Sequence, residues 1–132
     1  MLECIPYYEP GDRLTVEATE ILYAKRIVKL AGATGKQNGK VLPAALSTAP
    51  TDIILGVVGF DQPDVGYTTV VYSIGVGYVV PLQSGGAIAL GAFVTSGAGG
   101  KAVSTATKAD AIGRALSIAT AADQDVVVRL SV

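Results

Sequence analysis

Apolar residues arrive in short runs in this chain, and glycine or proline ends nearly every one. "DIILGVVGF" (Asp52–Phe60), "YTTVVYSIGVGYVVPL" (Tyr67–Leu82) and "DQDVVVRLSV" (Asp123–Val132) show the rhythm. Short runs rich in valine, isoleucine and tyrosine between turn-forming residues are what strands need. A helix needs a longer stripe with a period of 3.6 residues. "RLTVEA" alternates, with Leu14, Val16 and Ala18 on one face and Arg13, Thr15 and Glu17 on the other. The pattern therefore predicts an all-β fold, a small barrel or sandwich of short strands with Gly-rich turns. With 132 residues, one domain is expected.

Further strands are expected at Lys25–Leu30, at "KVLPAAL", at Asp52–Phe60 with both faces buried, and within Ser84–Ser96. Pro43 implies an edge or a bulge where it falls. Tyr67–Leu82 reads as two strands, or one bent strand, broken near Gly75 and Gly77. "TKADAIGRALSIATAAD" (Thr107–Asp123) is alanine-rich and competes as a helix. Gly113 interrupts it, and Ile112, Leu116 and Ile118 do not share one helical face, so Ala111–Ala119 is read as a strand. At most one short helix is expected, and Leu46–Thr51 is the stretch that could form it.

Residues 1–12 differ in character. Pro6 and Pro10 bracket "YYE", and Gly11 follows. Prolines so close forbid a helix and favour an extended arm. The expected organisation is an N-terminal arm over 1–12 and a single β-rich domain over 13–132. There is also an internal echo. "RIVKLAGATGKQNGKVLPA…DIILGVV" and "AFVTSGAGGKAVSTA…DAIGRAL" share the order strand, Gly-rich turn, strand, then Asp before an apolar–Gly strand.

Little in the chain can do chemistry. "GATGKQ" and "GAGGKA" suggest phosphate loops, but neither has the spacing or the Ser/Thr after lysine, and neither opens a helix. "GAGGK" is read as a hairpin turn, since glycine tolerates positive φ. The chain has no histidine, so a histidine-based nucleophile is excluded. Cys4 is the one cysteine and cannot form an internal disulfide; it is read as a small apolar residue or a tolerated thiol rather than a nucleophile. Zinc lacks ligands. The pairs Asp61/Asp64 and Asp123/Asp125 lack the ligand density of a calcium loop and are read as turn residues. No catalytic, cofactor or metal site is expected. The net charge of −1 argues against nucleic acid and against a basic membrane-binding face. No apolar run is long enough to cross a bilayer as a helix, and "MLECIPYYEPGD" does not read as a signal peptide.

Only 16% of residues are charged while half are hydrophobic. That balance suggests apolar surface covered by a partner. Tyr67, Tyr72 and Tyr78 lie in strand-like sequence and are expected to pack a sheet. Tyr7 and Tyr8 either anchor a partner surface or fold back on their own domain.

"YEPGDRLTV", "GVGYVVPL", "LGAFVTSGAGGKAV", "AIGRAL" and "DVVVRL" follow one another across Tyr8–Leu130. In that order the chain resembles the small cement, or head-decoration, proteins of tailed-phage capsids. The resemblance implies a β-rich homotrimer without catalytic residues. It implies binding to the outer surface of the expanded head, where such proteins clamp neighbouring major capsid subunits. Ile5, Pro6, Tyr7, Tyr8, Glu9 and Pro10 are the expected contact with the capsid or a neighbouring protomer. The segment Ala31–Pro50 is longer than the usual linker. The competing readings are a tail, fibre or baseplate β module, a carbohydrate- or ligand-binding β domain, and a carboxylate-based hydrolase.

Overall fold

A computed structural model describes residues 13–32, 41–75 and 77–131. The fold is all-β. The first five strands are β1 (Leu14–Ala18), β2 (Ile27–Leu30), β3 (Leu42–Leu46), β4 (Ile54–Val58) and β5 (Thr68–Ser73). They close a barrel in the order β1-β3-β2-β4-β5, with β5 pairing back onto β1. The next five are β6 (Val79–Gln83), β7 (Phe93–Ser96), β8 (Ala102–Thr105), β9 (Gly113–Ala115) and β10 (Asp125–Arg129). They form a sheet in the order β6-β10-β9-β7-β8. A parallel bridge between Ser84 and Ala102 joins its two edges.

The two lobes have the same connectivity. β1 pairs antiparallel with β5 and parallel with β3, and β6 pairs antiparallel with β10 while its continuation at Ser84 meets β8 in parallel. Registers match as well. Ile27↔Val57 and Val28↔Gly56 in the barrel correspond to Phe93↔Arg114 and Val94↔Gly113 in the second lobe. Val57↔Tyr72 and Val58↔Val71 correspond to Arg114↔Arg129 and Ala115↔Val128. The loop bridge Leu22↔Gln62 corresponds to Ile88↔Ala119. Lys25 donates its N–H to Val58 O, as Gly91 does to Ala115 O. Both residues have positive φ, 65° and 77°. The sequence echo is thus a repeat of topology and register, with the longer β2–β3 connection on the barrel side.

Two hydrophobic clusters hold the lobes. Val16, Ala18, Leu22, Val28, Ala44, Val58 and Val71 fill the barrel with residues of that lobe alone. The second cluster centres on Leu82, Ile88, Val94, Val126, Val128 and Leu130, and it takes in Ile27 and Val57 from the outer wall of the barrel. Tyr72 of that wall meets Tyr78 edge-to-face, with ring centroids 5.3 Å apart. The second lobe therefore completes its core against the first. Alternation decides which side chains take part: Val126 and Val128 point inward on β10, while Asp125, Val127 and Arg129 face out.

Several sequence expectations need adjustment. Ala111–Ala119 holds a strand only at Gly113–Ala115, because the chain leaves β9 at Leu116 to cross towards the Ile88–Ala119 bridge. Within Ser84–Ser96 only Phe93–Ser96 is strand, and Ile88 makes an isolated bridge. Leu46–Thr51 is not a helix. Leu46 ends β3, and Asp52 organises the turn that follows, accepting the N–H groups of Thr48 and Ala49 and the hydroxyl of Ser47. Pro43 lies inside the barrel, between β1 and β2. It is tolerated because the β2 ladder begins at Ala44, and beyond it Ala31 uses only the Pro43 carbonyl. "GAGGK" is the turn of the β7–β8 hairpin, with Gly99 and Gly100 at φ 67° and 74°. A Cβ on Gly100 would strike the Ile27 backbone, so glycine also permits the two lobes to meet there.

Candidate partner interface

Apart from Ile53, Val79 and Val127, the large apolar side chains exposed among the described residues lie on the loops that the two bridges tie down. In the barrel these are Ile21 and Tyr23 between β1 and β2, and Phe60, Val65 and Tyr67 between β4 and β5. In the second lobe they are Leu90 between β6 and β7, and Leu116 and Ile118 between β9 and β10. One local device produces both sets. Leu22 and Ile88 turn inward at the bridge, which leaves nearby loop residues facing solvent. Tyr67, expected to pack a sheet, is 66% exposed, whereas Tyr72 and Tyr78 do pack.

A groove of about 600 Å³ opens on the second lobe between Leu90, Gly91, Arg114, Leu116, Arg129 and Ser131. Leu90 is 67% exposed and Leu116 50%. Arg114 and Arg129 stand opposite each other on β9 and β10. Like charges in that position repel. The Arg114 guanidinium lies 5.1 Å from the Phe93 ring centroid, and its Nε and Nη2 donate to Gly91 O at 3.2 and 3.1 Å. Neither arginine pairs with a carboxylate among the described residues, where the ion pairs are Lys25–Asp125, Lys29–Asp52 and Lys101–Asp123. The groove thus combines apolar walls with two cations, and it suits an apolar segment that carries a carboxylate.

The acidic residues considered as metal ligands have structural work. Asp61 accepts the Ala24 N–H at 2.7 Å, and Asp125 pairs with Lys25 at 2.8 Å. Lys101 hydrogen-bonds Asp123 and holds its carboxyl below the ordinary carboxylate range. Among the described residues no three His, Cys, Asp or Glu side chains gather as a metal site.

The expected contact residues Ile5, Pro6, Tyr7, Tyr8, Glu9 and Pro10, and Cys4 with them, lie outside the described residues. Sequence reading did not single out the groove. Its signal was present in "AIGRAL" and "DVVVRL", where one arginine interrupts an aliphatic strand. Only pairing of β9 with β10 shows that the two arginines are neighbours.

A two-lobed β scaffold with apolar rims and a cationic apolar groove has the features of an assembly component. The comparisons place it among phage structural proteins. The chain belongs to the phage cement protein family, whose pattern matches residues 8–130. The fold is shared with the structure titled "The crystal structure of head fiber gp8.5 N base in bacteriophage phi29", at a TM-score of 0.70 and 21% identity, covering 91% of this chain and 93% of that one. No curated protein matches the chain.

Proposed function

We propose that this phage structural protein is a capsid cement protein. It binds the outer surface of the expanded head as a homotrimer and holds neighbouring major capsid subunits together. It does no catalysis and needs no cofactor. The family match over residues 8–130 carries this reading. The exposed apolar rims support it, since contiguous apolar surface marks interaction sites. Residues 5–10 are proposed to contact the capsid or an adjacent protomer, so that separating subunits must also strip the arm.

Co-sedimentation with expanded and unexpanded shells of the cognate phage tests the proposal. Saturable binding to expanded shells alone is the expected result, and binding to neither overturns it. Deleting Met1–Pro10 is expected to weaken binding while the β lobes stay folded; unchanged binding removes the arm from the interface. The fold shared with a head-fibre base favours a second reading, a module that anchors a fibre. Copy number separates the two: a cement protein is present at close to the number of major capsid subunits, and a fibre anchor is much rarer.

A further inference from the structure

The seam between the lobes and the open groove are equivalent surfaces. The seam's groove, about 140 Å³, is lined on the barrel side by Ala24, Lys25, Val57, Val58, Gly59 and Tyr72. By strand register Lys25, Val57, Val58 and Tyr72 correspond to Gly91, Arg114, Ala115 and Arg129, all of which line the open groove. Gly59 and Leu116 correspond through their N–H bonds to Val70 O and Val127 O. Ala24 and Leu90 each precede the positive-φ residue, Lys25 or Gly91. In the seam the second lobe reaches in with Val80 and Pro81 of β6. On the second lobe nothing among the described residues occupies the corresponding place.

We infer that this groove receives the β1 edge of a second copy, around Leu14 and Thr15, repeating between copies the seam found within one. Leu14 pairs with Val71 as Val80 pairs with Val128, and Thr15 pairs with Val70 as Pro81 pairs with Val127. β1 is thus the segment of the first lobe built like the seam's insert. Thr15 is exposed and Leu14 only half-buried in one copy. The Lys25 carbonyl accepts the Gln83 N–H in the seam, while the Gly91 carbonyl is held by Arg114 until the insert arrives. Because groove and insert differ, the copies join head to tail, the kind of contact that closes into a ring when the rotation between copies is a whole fraction of a turn. The trimer proposed above then presents six similar lobes.

Sedimentation velocity of the full-length protein without shells tests this contact independently of cement function. The wild type is expected to associate beyond its 13.4 kDa protomer. Thr15→Arg sets a third cation against the two arginines, and Arg114→Glu with Arg129→Glu reverses the groove. Each variant is expected to associate at least about tenfold more weakly, and a 1:1 mixture is expected to regain association because arginine insert meets glutamate groove. A wild type that stays monomeric, or variants that associate like wild type, overturns the inference. Variants that keep their association but lose shell binding overturn it too, since the capsid protein is then the occupant.

Discussion

Gly113 on β9 lies against the Arg129 backbone of β10, and its replacement by alanine tests that packing directly. An added Cβ would overlap the Arg129 carbonyl oxygen and stand 2.9 Å from Val128 Cγ1 and 3.0 Å from the Arg129 carbonyl carbon. A side-chain tip could swing away; a backbone carbonyl inside a ladder cannot. Relief requires β9 to move off β10, which opens the Val128↔Ala115 and Arg129↔Arg114 pairs. Overpacking of this kind costs about 1–3 kcal/mol, and the upper end applies when backbone is struck. A loss of about 3 kcal/mol lowers the melting temperature by about 10 °C in a protein of this size. Thermal unfolding followed by circular dichroism reads it. Gly86→Ala is the control, since nothing lies within 4 Å of its added Cβ. It should be neutral or stabilising by up to about 1 kcal/mol. Gly56 is the barrel equivalent; a Cβ there would strike Tyr72 O, and its φ of 156° adds backbone strain, so Gly56→Ala should lose at least as much. A Gly113→Ala protein that melts within about 2 °C of wild type refutes the reasoning.

Leu82 is fully buried in the second cluster, and Leu82→Ala should cost about 2–5 kcal/mol in urea unfolding. The Asp52 carboxyl is held below its ordinary value chiefly by the Thr48 N–H, then by Ser47, Ala49 and Lys29, against an opposing effect of burial. Its folded value lies below the unfolded one, so its contribution is complete above about pH 4 and disappears as pH falls through the folded value. Melting curves between about pH 5 and 2 should therefore fall less steeply in Asp52→Asn than in wild type. Lys25 and Asp125 are both about half exposed, and Asp125→Asn should change stability by no more than about 1 kcal/mol; double-mutant cycles with Lys25→Met check this.

The alternating runs made β structure legible, because a half-buried strand imposes a period of two on its side chains. "DVVVRL" shows this, with Val126 and Val128 inward and Arg129 outward. Strand ends were less legible. Ala111–Ala119 shortened to three residues, since apolar Leu116 and Ile118 serve an exposed rim and composition alone does not separate rim from core. Pro43 misled because the cost of proline depends on which neighbour its missing donor would face. The repeat was visible in order but not in register, as Val57 against Arg114 and Tyr72 against Arg129 share backbone places without sharing chemistry. For the same reason the groove stayed hidden until β9 and β10 were paired.

The uneven division of the two hydrophobic clusters sets an order for synthesis. The barrel fills itself from its own half of the chain, whereas the second lobe needs Ile27 and Val57 of the barrel wall to complete its interior. A ribosome delivers the self-sufficient half first. By the time β10 emerges, the surface on which its lobe must settle already exists. The later half meets a template rather than an unfolded chain, and its aggregation-prone valines spend less time without cover.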